Sequence, residues 1–361
     1  MWDTIKDSTL YQLMAPFVPG QSLFLFHLGS ALLISIFVYF YFSHREARAR
    51  PDGVSKGMFG YLFDRDIWFH KSARQDYLYF VVNSLVYSGI IAQFYISGSV
   101  FYGFFEIGLN TLLGAPETAL FEASLTSVIV YTFVAALAMD LAIYITHYLQ
   151  HKIATLWHFH SVHHSAEVLT VMTVYRQHPV DLFLTGTVVV ALTQLGHAGY
   201  TYLTLSQPSV HGIMGVNSVI FVFFIFGYNL RHSHIWLSYP PWLSYILISP
   251  AQHQTHHSIE AKHFDRNFGF MFAFWDWMFG TLYVPRGYEK LEFGLSKHEP
   301  NPYGSVTELY LTPFKRAWQE LASLAKGASA KSHSDTEGDQ TFVTPENSKP
   351  QDPVERKTGL S

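Results

Sequence analysis

No cysteine occurs in the 361 residues, which excludes a disulfide, an iron–sulfur cluster and a thiolate zinc site. Charge is scarce as well. Asp, Glu, Lys and Arg make up 14% of the chain, where ordinary soluble domains carry about 25%. The net charge is −4 with neutral histidine and no basic face is clustered, so no nucleic-acid partner is expected. A GxGxxG fingerprint, a fused haem motif and an HExxH are all missing, which sets aside a built-in dinucleotide or haem domain and the common zinc-protease chemistry. A transition metal on this chain must therefore sit on imidazole and carboxylate, ligands that suit iron, zinc, copper or nickel.

What is present is apolar surface: 49% hydrophobic residues and 17% aromatic, a balance that points to a membrane protein. Residues 1–21 lack the basic n-region and small-residue cleavage site of a signal peptide. The uncharged run Ser22 to Phe42 is long enough to cross a hydrocarbon core of about 30 Å at about 1.5 Å per residue. Seven basic residues follow between His44 and Gln75 (Arg45, Arg48, Arg50, Lys56, Arg65, Lys71 and Arg74), the signature of a cytoplasmic loop. Tyr77 to Val100 is a second span, with Phe101 to Leu113 as a re-entrant or interfacial piece. Ser124 to Ile145 is the third span. Val180 to Tyr200 and Ser209 to Tyr228 form a further transmembrane hairpin.

The expected fold is all-α and polytopic. It has about five spans, one N-terminal and two hairpins, under a cytoplasmic helical cap rich in histidine. Trp236 to Ser249, interrupted by Pro240 and Pro241, is too short to span and reads as interfacial, with Trp236, Tyr239, Trp242 and Tyr245 at headgroup level. Glu308 to Ala325 reads as an amphipathic helix, and the polar stretch from Lys326 as a disordered tail. The regions expected are residues 1–123 (membrane), 124–290 (catalytic), 291–325 (cytoplasmic helix) and 326–361 (tail).

Histidine is the outstanding excess. Of twenty, seven lie between Asp140 and His178 and six more between His232 and His263, both windows on the same predicted face. Residues three or four apart share one side of a helix. His147 and His151 are spaced i, i+4; His160, His163 and His164 are i, i+3, i+4; His253, His256 and His257 repeat that pattern. The adjacent pairs His163/His164 and His256/His257 can reach two points, so a second metal is the natural consequence. Eight imidazoles exceed what a closed structural zinc site needs and suit a two-metal centre with open positions. His27, His298 and His333 have no second ligand one turn away and are read as packing or surface residues.

HxxxH, HxxHH and a late HxxHH in a polytopic chain resemble the fatty acid hydroxylase/sterol desaturase superfamily of membrane di-iron enzymes. The resemblance extends to Asp140 and Tyr144, Leu156-Trp157, His163-His164-Ser165, His178-Pro179, Asn267-Phe268-Gly269, Trp275-Asp276 and Phe279-Gly280-Thr281. It implies metal binding by His147, His151, His160, His163, His164, His253, His256 and His257, with His178 and His232 as two further ligands. Asp140, Tyr144, Asp265 and Asn267 are implied as residues that orient the ligand rings; His234 departs from the family's pattern, where a small residue or Asn is expected, and is an eleventh ligand candidate or a further orienting residue. His158 and His263 have no counterpart and are read as outer or surface residues.

The activity implied is a two-iron, O2-dependent lipid hydroxylase, with a membrane lipid as substrate. Electrons come from an external cytochrome b5-like or ferredoxin-like protein. Desaturation, sterol methyl oxidation and ether-lipid cleavage share the same centre and stay open. A metal transporter or storage protein is the alternative of another class, but it should place ligands inside the spans near the midplane. Zero cysteine and short tails, with no KDEL-like ending, favour a bacterial inner membrane over the endoplasmic reticulum. Phe221, Phe223, Phe224 and Phe226, or the aromatic interfacial segment, are candidate walls for the lipid.

Overall fold

The computed structural model describes residues 9–45, 51, 53–89 and 97–337. Three described helices are long and apolar enough to cross a membrane: α1 (Leu25–Ser43), α4 (Leu125–Lys152) and α6 (Pro179–Thr204). Between the first two lie α2 (Lys71–Gly89) and α3 (Gly98–Leu113). Further helices are α5 (Ala154–His164), α7 (Ser218–Ile225), α8 (Pro250–His256) and α9 (Val306–Glu337), of which α5 and α8 with their adjoining loops carry histidine boxes and are called the cap. This is a helical membrane protein. Its outer faces carry exposed Phe37, Phe104, Ile107, Leu125, Phe133 and Leu195, apolar surface that lipid rather than water covers.

Local chemistry explains the long helices. Ser124 caps α4 in a reciprocal box with Ser127, satisfying backbone donors that would otherwise be orphaned. Its 28 residues give about 42 Å at 1.5 Å per residue, so its last turns, carrying His147 and His151, extend past the hydrocarbon core. In α6, Pro179 stands in the first turn, where its missing N–H costs nothing. α6 packs along both α3 and α4.

Two expectations are corrected. Ser209 to Tyr228 is not a spanning helix: Gly212–Ile213 (β1) and Val216–Asn217 (β2) pair antiparallel, and only the eight residues of α7 are helical beyond them. Met214 and Gly215 both have positive φ, as a tight two-residue hairpin turn needs. Asn217 and His211 then tie the hairpin to Thr132 of α4. A hydropathy reading sees the apolar run and not the turn inside it. The second run is likewise divided. Ser97 caps α3, which starts afresh at Gly98, and the stretch of that expected span over residues 90–96 lies outside the described residues, as do Arg48 and Arg50.

The interfacial segment is present in altered form. Pro241–Ser244 is one helical turn with Trp242 and Tyr245 exposed, but Trp236 is buried against Tyr288. Contacts divide the chain into two units, residues 1–317 and Trp318 onward. Helical backbone runs to Glu337, past the expected end at Ala325; no proline interrupts Lys326 to Glu337. The expected tail over residues 338–361 lies outside the described residues.

The cap is tied to α2 by a fully buried pair. Arg176 Nη1 donates to Asp76 Oδ1 at 2.7 Å, while Arg176 Nε donates to the Val162 carbonyl at 3.0 Å and to Ser165 Oγ. Both charges are removed from water, so each depends on the other. Asp76→Ala is expected to cost about 3–5 kcal/mol, read as a lowered thermal unfolding midpoint of the purified protein in detergent.

Candidate metal centre

α4, α5 and α8 deliver the histidine boxes, and the turn after α7 delivers His232. Five rings, His147, His151, His160, His164 and His256, form one group; His163, His232, His253 and His257 form a second. Within each group one ligand atom per residue lies within 4.8 Å of the others. The adjacent pairs are divided between them, His163 and His257 to one group and His164 and His256 to the other. The rings of His164 and His257 stack at 4.5 Å across the boundary. Nine of the ten histidines that the sequence proposes as ligands are thus brought together.

Local signals position them. Ser249 and Gln252 form a capping box that starts α8, with Pro250 in its first turn, and every residue of α8 is buried. Asn267, at φ +58°, donates from Nδ2 to the Gln252 carbonyl and Thr255 Oγ1, and accepts from Tyr283 N. A Cβ on Gly269 would lie 2.7 Å from the Phe272 carbonyl and 2.9 Å from Asp276 Oδ2, so only glycine fits this turn. Asp276 accepts from Phe268 N, Gly269 N and Thr281 Oγ1, and burial pushes its pKa up to about 6.

In the first group the outward nitrogens are spoken for. His147 Nδ1 donates to the Phe268 carbonyl at 2.8 Å, His256 Nδ1 to the Arg266 carbonyl at 2.7 Å and His160 Nδ1 to Asp181 Oδ2 at 3.0 Å. These acceptors place the proton on Nδ1 and leave a lone pair on Nε2. The Nε2 atoms of His147, His160 and His256 are buried and without a hydrogen-bond partner. Inward lone pairs with outward N–H groups held by carbonyl or carboxylate are the arrangement a metal-bound imidazole requires.

The second group is tighter. Nε2 of His232 is 3.2 Å from that of His163, 3.1 Å from His257 and 3.0 Å from His253, and His257 and His253 are 3.1 Å apart. Four nitrogens around a cation at about 2.0–2.1 Å would be spaced by about 3.3 Å in a tetrahedron, so the donor set fits a shared ion. Arg231 Nη2 donates to His253 Nδ1 at 2.8 Å; a guanidinium cannot accept, so this ring presents its Nδ1 lone pair outward and, while neutral, its proton on Nε2, which a cation in the group would displace. Burial first, then neighbouring imidazoles, holds His163, His164 and His257 well below the usual histidine range. His256 is pushed by burial down to about 3. These four rings are therefore neutral near pH 7.

His178 is the correction. It caps α6, with Nδ1 accepting from Val180 N and Nε2 donating to the Tyr310 carbonyl, so neither nitrogen is available to the groups. His234 Nε2 meets the Tyr61 carbonyl. Asp140 accepts from Met271 N, Phe272 N and Trp275 Nε1. Tyr144 bonds Thr281, and Asp265 pairs with Lys152 at 2.6 Å. None of these five proposed orienting residues bonds a clustered ring: Asp140, Tyr144 and Asn267 shape the loop 267–281, and Asp265 ties it to α4. His158 and His263 lie outside both groups. The residue missed is Asp181, which bonds both His160 and Gln150. Its one sequence signal is its place in the first turn of a helix, three residues after a histidine.

Two convergent all-imidazole groups beside the end of α4 make a membrane protein with a histidine cluster that could hold metal. The model of one family, Fatty acid hydroxylase, matches residues 132–281. Alkylglycerol monooxygenase of Danio rerio is 28% identical over 167 residues, 45% of this chain and 32% of that protein. The Homo sapiens alkylglycerol monooxygenase is 26% identical over 173 residues, 48% and 34% of the two chains. An ornithine lipid hydroxylase of Rhizobium tropici is 27% identical over 158 residues, 44% and 43%. The chain thus spans a third to two-fifths of the length of these curated relatives. No solved structure matches it.

Asp181→Asn is expected to weaken metal binding about 10–100-fold, as loss of an outer partner commonly does, while His178→Ala leaves metal content unchanged. Metal analysis of the purified variants after dialysis against a graded chelator separates the two.

Proposed function

We propose that this protein is an integral-membrane, iron- and O2-dependent lipid oxygenase that inserts one oxygen atom into a C–H bond. The observation that carries the reading is the pair of adjoining groups made of nine imidazoles without thiolate or carboxylate ligands. Iron held there would supply the means of activating O2 for attack on an unactivated C–H bond. His147, His151, His160, His164 and His256 would hold one ion, and His163, His232, His253 and His257 the other. The chain's own task is positioning and exclusion. Asp181 and the carbonyls of Arg266 and Phe268 hold three rings in one orientation, and Trp157 and Phe268 pack on them, keeping bulk water away.

The curated relatives are named monooxygenase and hydroxylase, which favours oxygen insertion over desaturation on the same centre. A sterol or glyceryl ether remains within the class of lipid considered. The reductant is external and reaches the centre from the cytoplasmic face of a bacterial inner membrane, the side on which the basic loop after α1 places the histidines. Residues 124–290 form the catalytic region. A metal-transport role is disfavoured because the groups sit at the ends of α4 and α6 rather than midway along them.

Full-length protein in lipid nanodiscs should carry two iron ions per chain and, with a reductant, yield a lipid product heavier by about 16 mass units, labelled from 18O2. His163→Ala and His256→Ala should each lose at least about 100-fold of this activity. Wild-type turnover in either variant, or a product lighter by about 2 mass units, would refute the reading.

A further inference from the structure

A cavity of about 290 Å³ lies between the N-terminal segment before α1, α2, the first turn of α6 and the end of α7. None of the residues that line it is charged. Its polar wall is made of carboxamides and hydroxyls, among them Gln21, Ser22, Asn83, Tyr175 and Gln177. Ser22 Oγ and Tyr175 OH lie 3.0 Å apart. Asn83 Nδ2 donates to the Gln177 carbonyl at 3.2 Å, and its Oδ1 accepts from Tyr310 OH. The Gln177 carboxamide itself makes no hydrogen bond among the described residues, an unspent donor and acceptor pair on a half-buried side chain.

The place of the cavity matters as much as its lining. Tyr228, on its wall, lies 5.4 Å from the Arg231 guanidinium, which in turn donates to His253. Leu182, also on the wall, follows Asp181, the partner of His160. One chain of contacts thus runs from the cavity through Tyr228 and Arg231 to His253. Along α2 it begins just beyond Asp76 and Tyr79, which tie that helix to the cap. It therefore opens where the cap meets the apolar helices, the level at which a lipid's head and chain divide.

We infer that this cavity seats the polar head of the lipid substrate and selects an uncharged head bearing hydroxyl, ester or amide groups. The assignment rests on the oxygenase reading above. A phosphate or ammonium placed here would lose its water without gaining an opposite charge, a costly transfer. A hydroxyl or carbonyl exchanges bonds with water for bonds with Gln177, Tyr175 and Ser22 at little net cost. The charges neighbouring its walls are already engaged, Arg231 with the Gly269 and Phe270 carbonyls and His253, Asp181 with Gln150 and His160, and Arg176 with Asp76. At about 300 Å³ the space is at the small end for a ligand site; it holds a head and its first carbons, leaving the chain among the helices.

The test uses iron-loaded full-length protein and three probes that share one chain: 1-O-hexadecylglycerol, hexadecyl phosphate and hexadecylphosphocholine. Native mass spectrometry should show the uncharged probe binding at least about tenfold more tightly than either charged one. Gln177→Leu and Gln177→Glu should each erase that preference with iron content unchanged. The backbone carbonyl that Tyr79 and Asn83 use is untouched by these changes. Tyr175→Phe is a second position with the same expected direction. Equal binding of all three probes, or unaltered preference in the Gln177 variants, would overturn the inference. Turnover assays on the same samples separate it from the oxygenase reading: head preference without turnover removes only the activity, and turnover indifferent to the head removes only the pocket.

Discussion

Everything in the cap follows from the cost of placing nine neutral imidazoles side by side. Each ring has one N–H and one lone pair, and in the second group four ring nitrogens face one another at 3.0–3.2 Å. Lone pairs at that spacing repel unless protons or a cation lie between them. Burial and mutual repulsion drive the pKa values down, which keeps additional protons out near neutral pH; a cation between the rings would relieve the repulsion, and the surrounding bonds hold the rings facing one another.

That service explains features with no direct contact to a clustered ring. Asp140 gathers the backbone of Met271 and Phe272 and the Trp275 indole; Asp276 gathers Phe268, Gly269 and Thr281. Two buried carboxylates thereby set one loop, and the loop presents the Arg266 and Phe268 carbonyls to His256 and His147. The Asn267-Phe268-Gly269 sequence is this turn, with its positive φ and its missing Cβ. Arg176, on the other side, joins α5 to α2 through the carbonyl that precedes His163. The ring nitrogens thus inherit their precision from backbone groups, which move less than side chains.

Much of this was legible in the residues themselves. The i, i+3, i+4 spacing of the boxes is a property of helix geometry and holds wherever the helix goes, so the division of the adjacent pairs between two points could be read directly. Long apolar runs likewise marked α1, α4 and α6. Hydropathy failed at Ser209 to Tyr228, where Met214 and Gly215 turn the chain inside an apolar stretch. It also failed to mark Trp236 as buried.

The sequence by itself determined that this chain is a helical membrane protein and that its histidines come in boxes able to serve two points, because both are local properties of composition and period. Only the tertiary structure decided which outlying histidine joins them. His232 meets His163, His253 and His257, whereas His178 turns to Val180 and Tyr310. The choice depends on how the turn after α7 and the cap of α6 are docked. The same holds for Asp181 and Gln177, an acid in a helix's first turn and an amide before a cap, whose roles arise from what the fold sets across from them. Partners distant in sequence leave no period to read.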